Sequence, residues 1–186
     1  MQNTKEAIAR VRDVVAQIKS YDEIEAGHIA DALAWIDSGA PLFRVAKPDV
    51  PPKHLVSYCV LFDPIAEKIL LVDHKKALLW LSPGGHVDLN EDPKEAARRE
   101  CFEELGIEPE FLFERPVFLT QTLTVGLTAG HTDVTFWYVI RGDSTASYVF
   151  DPEEFNDIRW FGLDEIPHEK SDVHQARFIA KLKEML

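Results

Sequence analysis

The segment PGGHVDLNEDPKEAARRECFEELGI, residues 83–107, constrains the fold more than any other stretch of the chain. It predicts a helix with both ends specified. Asp92 is a natural N-cap, Pro93 suits the first helical position because a missing N–H costs nothing there, and Glu95 completes a capping box. Gly106 ends the helix, since glycine takes a left-handed backbone readily. One side, Ala97, Cys101 and Leu105, is small and apolar enough to pack on a sheet. Another side gathers Glu100, Glu103 and Glu104, three and four residues apart. Like charges at that spacing disfavour a helix by about 0.2–0.5 kcal/mol per pair. A hard divalent cation would compensate, because oxygen ligands suit Mg²⁺ or Mn²⁺. Upstream, Gly84-Gly85 allows a sharp turn or a close approach of backbone to a ligand.

Around this helix the pattern alternates between periods. HLVSYCVLF (54–62), KILLVDH (68–74), 111–125, 133–142 and 156–163 read as strands, with a short apolar piece at 77–81. Ser171 to Leu186 reads as a closing helix with Val173, Phe178, Ile179 and Leu182 as contacts. The first 38 residues differ. Ile8, Val11, Val15 and Ile18 stripe one helix from Thr4 to Ser20, and Ile29, Leu33 and Ile36 stripe a second, capped by Asp22 with Glu25 three residues on. Residues 39–53 carry Gly39, Pro41, Pro48, Pro51 and Pro52 and read as a linker over the surface. The predicted class is α/β (α+β). It comprises a helical hairpin and linker over 1–53 and a mixed α/β domain over 54–186.

The 186 residues fit one compact domain with an appendage. With 20 Lys+Arg against 32 Asp+Glu the net charge is −12, which argues against nucleic acid as a general partner, because duplex affinity depends on cations displacing phosphate counterions. No apolar run is long enough to span a bilayer, and the start of the sequence has no signal-like core, so no membrane partner and a cytoplasmic location are expected. Cys59 and Cys101 stand in apolar surroundings with no metal-type spacing and read as reduced small hydrophobes.

From Gly85 to Ile107 the chain resembles the Nudix hydrolases. The signature positions are Gly85, Glu91, Arg99, Glu100, Cys101, Glu103, Glu104, Gly106 and Ile107, and all are filled. Two departures are mild: many members carry a glycine at the position of Asn90 and a proline at that of Ser82. The resemblance implies a Nudix-like mixed sheet sandwiched between helices. It also implies hydrolysis of a diphosphate linkage in a small-molecule nucleotide substrate, with Mg²⁺ (or Mn²⁺) as cofactor. By position, Glu100, Glu103 and Glu104 look like metal ligands together with the Gly84 carbonyl, while Gly85, Glu91, Arg99 and Gly106 look structural. The general base stays open among Glu100, Asp133, Glu153 and Glu154; Asp133 is preferred because His131 precedes it in a glycine-containing loop. His86 is placed to touch a phosphate, and Lys75 and Lys76 to meet a polyphosphate.

Base recognition calls for aromatic stacking, for which Trp80, Phe136, Trp137 and Tyr138 are available, one face of the last three being core. An isoprenoid diphosphate isomerase would need a cysteine in the site, and neither cysteine fits. A nucleotide-sensing module could lose its glutamates freely, and all three are present. The apolar stripes of the hairpin need a cover, either the rest of the same chain or, as the favoured reading, a second copy in a homodimer.

Overall fold

The computed structural model describes residues 2–46 and 50–186, so the linker residue Pro48 lies outside the described residues. The sheet is built around β1 (Lys53–Asp63), whose alternation sends Leu55, Cys59 and Leu61 to one face and Val60 and Phe62 to the other. β1 pairs antiparallel with β2 (Lys68–His74) and β4 (Gly84–His86) and parallel with β6 (Thr132–Arg141). β3 (Leu79–Leu81) and β7 (Phe155–Gly162) pair with β2, and β5 (Phe118–Leu123) closes the far side on β6. On one face lie α3 (Pro93–Leu105) and the hairpin of α1 (Gln2–Ala16) and α2 (Glu23–Asp37); on the other lies α4 (Gln175–Met185). The mixed, helix-sandwiched sheet is thus present.

α3 follows its sequence signals closely. The Asp92 side chain accepts the Lys94 N–H at 2.9 Å, Pro93 opens the helix, and Gly106 closes it at φ 68°. Glu95, expected to complete the capping box, instead pairs with Arg98 at 3.4 Å. Ala97, Cys101 and Leu105 are buried against the sheet. Cys59 and Cys101 are both free and buried there.

The hairpin corrects the premise of the dimer expectation. Val11, Val15 and Ile36 are buried in the same core as Leu55, Leu119 and Phe136, with Ile8, Ile18, Ile29 and Leu33 packed against it. The stripes pack on their own chain, the other of the two expected covers. Nor is the linker only a surface crossing, since Leu42 and Phe43 are 1% and 3% exposed and the Leu42 carbonyl accepts the Leu55 N–H.

Three boundaries shift. α1 stops at Ala16, where the Gln17 and Ile18 N–H groups bond three residues back in a tightened last turn. The strand expected over 111–125 shrinks to β5; Pro116 lacks the N–H a ladder needs, and Phe111 makes only an isolated bridge to Ile140. The closing helix begins at Gln175, because Ser171 bridges to Trp80 and Asp172 turns back on the His174 N–H; Val173 is therefore 71% exposed instead of packed. Phe136 and Tyr138 lie in the hairpin-side core and Trp137 in the α4-side core, so both faces of β6 are interior. No helix among the described residues is long and apolar enough to cross a membrane.

Candidate functional site

The glycine pair is fitted to its neighbours atom by atom. Gly84 has φ 144°, and a Cβ built there would stand 2.2 Å from the Ser57 carbonyl oxygen, so any side chain is excluded by both backbone and space. A Cβ on Gly85 would stand 2.4 Å from the Glu100 carboxylate. The close approach inferred from the sequence is therefore β4 pressed between β1 and the acidic edge of α3.

Arg99 ties this loop to the helix. Its guanidinium donates to Glu91 through Nε at 2.9 Å and Nη2 at 3.0 Å, to the His86 carbonyl at 2.9 Å, and to Glu100 at 2.7 Å. Such a fork fixes direction as well as charge. Glu91 also accepts the Asp88 N–H at 2.8 Å, closing the turn.

The three helix carboxylates divide. Glu104 is buried, and its Oε2 accepts the Gly84 N–H at 2.7 Å. Burial, with Glu100 close by, pushes its carboxyl well above the usual range. Burial raises Glu100 too, against the pull of Arg99. Glu103 is 57% exposed and touches Arg99 at 3.2 Å. All three line one cleft of about 1150 Å³ with Gly84, Gly85, His86, Lys76, Asp133 and Glu154.

Elsewhere on the cleft, Asp133 Oδ1 lies 3.3 Å from His54 Nε2 and 3.2 Å from His131 Nε2. Burial would raise the Asp133 carboxyl, but the two imidazoles bring it below the usual range. His86 is held neutral, its pKa lowered to about 3 by burial and by Arg44. Deeper in, burial raises Asp172 to about 6 despite the His174 N–H it accepts.

Other expected residues fall outside or at the margin. Glu153 is exposed and not on the cleft, and Lys75 donates to the Pro152 carbonyl. Trp80 packs on Phe161 under Arg159 and is not among the cleft residues, so none of the four proposed stacking aromatics lines the site.

A family model described as the NUDIX domain matches residues 52–182, most of the chain. The chain belongs to the Nudix family. Among curated Nudix relatives, "m7GpppN-mRNA hydrolase NUDT17" of Danio rerio is 31% identical over 59% of this chain and 42% of its own length. An "RNA pyrophosphohydrolase" of Gluconacetobacter diazotrophicus is 30% identical over 53% of this chain and 68% of its own. The chain thus spans less than half of the first relative. Among solved structures, a MutT NUDIX hydrolase of Burkholderia pseudomallei has TM-score 0.56 at 22% identity, covering 69% of this chain and 97% of that one. A UDP-X diphosphatase has TM-score 0.54 at 15% identity and covers 98% of this chain and 95% of that one, so the likeness of fold takes in the hairpin.

Sequence reasoning about this Nudix chain missed Arg44, His54, Tyr58 and Asp172. His54 sits in an apolar strand pattern and Arg44 in the linker; only the pairing of β1 with β4 and β6 shows their neighbours. The Gly84 geometry makes a further expectation checkable. Gly84→Ala should destabilise by at least about 1–3 kcal/mol from overpacking, with strain at positive φ added. Chemical denaturation would show it as a lower midpoint at unchanged slope. An unchanged midpoint would mean that β4 can retreat from β1.

Proposed function

We propose that the chain hydrolyses a diphosphate linkage in a small nucleotide with the help of a divalent cation. The observation that carries the reading is the pair Glu100 and Glu104, two substantially buried carboxylates facing one glycine turn, with Arg99 as the cation that touches Glu100. Burying like charges together is unfavourable without a counter-charge. The donor set fits Mg²⁺ or Mn²⁺, since it is all oxygen: Glu100, Glu103 and Glu104, with the Gly84 carbonyl at hand. When bound, such an ion activates water and neutralises the phosphates being separated. Glu91 and Arg99 hold the turn, so that the carboxylates keep their direction. For the proton acceptor, Glu100 and Glu154 fit better than Asp133, since they stand with the glutamates of α3 on the cleft while Asp133 stands beside the imidazoles of His54 and His131.

A polymeric substrate fits less well, although the names of two relatives mention RNA. The −12 charge and an acidic cleft work against a polyanion. A compact ligand needs fewer favourable contacts. The apolar lip of Leu79, Leu81, Leu123, Val125 and Leu127 offers it a hydrophobic side in place of aromatic stacking.

The test is a panel of nucleoside triphosphates, dinucleotides, nucleotide sugars, ADP-ribose and a capped oligonucleotide with Mg²⁺, with products resolved by chromatography. Turnover of a small nucleotide into two phosphorylated products, abolished by excess chelator and restored by Mg²⁺ or Mn²⁺, is expected. Full turnover in chelator would refute the cation dependence. Binding without turnover across the panel would make the chain a sensor.

A further inference from the structure

Beside the cleft, donors of a different kind gather. The register makes this unavoidable: His54 on β1 is the direct partner of Asp133 on β6, and Val56, two residues on and therefore on the same face, is the direct partner of His86 on β4. Three neighbouring strands so deliver His54, Asp133 and His86 to one spot. His131, two residues before Asp133, adds a third imidazole. One ligand atom from each residue lies within 4.8 Å of all the others.

Two observations point to an occupant. His54 is fully buried, yet its Nε2, the His86 Nε2 and Asp133 Oδ1 find no hydrogen bond of acceptable geometry. Orphaned polar atoms of this kind are rare in folded interiors. The rings are also oriented from behind. His54 Nδ1 donates to the Pro51 carbonyl at 2.7 Å, which leaves the lone pair on Nε2 aimed at the cluster. The Thr124 hydroxyl donates to the His131 carbonyl and lies 3.1 Å from His131 Nδ1, so that nitrogen is the donor and Nε2 again faces inward. A histidine fixed by a hydrogen bond on its far nitrogen is the usual support of a metal ligand.

The two distances to the carboxylate agree. With bonds of about 2.0–2.1 Å, the ligand atoms around a tetrahedral zinc stand about 3.3 Å apart. Asp133 Oδ1 stands 3.3 Å from one Nε2 and 3.2 Å from another. We propose that His54, His86, His131 and Asp133 bind a divalent cation of the zinc class, at a centre separate from the glutamates of α3. Three imidazole nitrogens and one carboxylate suit Zn²⁺ better than Mg²⁺, which prefers oxygen. Such an ion crosslinks β4, β1 and β6 and gives the acidic cleft one positive wall.

Metal content of the full chain tests this without any substrate. The protein is stripped with chelator, dialysed against Zn²⁺ in a large excess of Mg²⁺, and its zinc counted by mass spectrometry. One zinc per chain is expected in the wild type and in the Glu100→Gln/Glu104→Gln variant, with at least a tenfold affinity loss in His54→Gln, His131→Gln and Asp133→Asn. Circular dichroism without metal identifies which variants fold. If none does, Co²⁺ added to the wild type should give the visible absorption of a four-coordinate site. Absence of bound zinc, zinc retained equally by folded histidine variants, zinc lost with the glutamates, or a six-coordinate cobalt spectrum would each overturn the assignment. None of these outcomes bears on the chelator test above, which reads turnover.

Discussion

Glu104→Gln should lower turnover by two to three orders of magnitude and at the same time raise the melting temperature of the metal-free chain. The loss follows from removing a carboxylate that would help hold the divalent cation where the phosphates are separated, a stabilisation worth about 3–4 kcal/mol. The gain follows from the same carboxylate. Its pKa is higher in the folded chain than in the unfolded one, so its charged form costs stability above the folded value. Glutamine keeps an oxygen for the Gly84 N–H and removes that cost. The stabilisation should be fully present in alkaline buffer and fade as the pH falls towards the unfolded carboxyl value of about 4.3. Melting curves at several pH values, beside steady-state rates in Mg²⁺, read both halves. A variant with wild-type turnover would remove Glu104 from the machinery. One with lost turnover and an equal or lower melting point would show that its burial is not a cost borne for function.

The helix carrying that residue was legible because everything that specifies it is local. Cap, first-turn proline, closing glycine and the two opposed faces all fall within residues 92–106. The contribution of Glu103 was read less well, since helical spacing groups it with Glu100 and Glu104 but cannot say that it stands on the exposed flank. Strand register leaves no local mark at all. His54 and Asp133 become partners only through the parallel pairing of β1 with β6, and a one-residue slip of β6 would have sent Asp133 to the other face. The hairpin shows the same limit from another side. Its apolar stripe is plain, but periodicity names a face and not its cover, and the Asp22 cap, which does accept the Glu25 N–H, gives no sign that the Glu25 carboxylate pairs with Lys181 in α4.

Glu25→Ala should destabilise the chain by about 3–5 kcal/mol, the cost of breaking a buried ion pair from one side. Glu25 is 0% exposed, and its carboxylate is fully used. Oε1 accepts from Lys181 Nζ at 2.8 Å and from the Leu119 N–H at 3.1 Å, and Oε2 accepts from the Tyr21 N–H at 2.7 Å. Three elements therefore meet on one side chain: the entry to α2, the strand β5 and the closing helix α4. Its loss leaves a buried ammonium and two backbone donors without their acceptor, each with its own desolvation cost. Lys181 keeps only the Lys19 carbonyl at 2.6 Å. Because the hairpin also packs on the sheet through Val11, Val15 and Ile36, the chain should lose stability as one unit and not shed the hairpin alone. Urea unfolding followed both by circular dichroism and by a fluorescent label attached to α1 separates the two outcomes. Coincident transitions at a lower midpoint are expected. A Lys181→Met change added to Glu25→Ala should recover part of the loss, since no buried charge then remains unpaired. If the single variant melts like the wild type, or if the hairpin signal is lost first, the ion pair does not join hairpin and sheet into one folding unit.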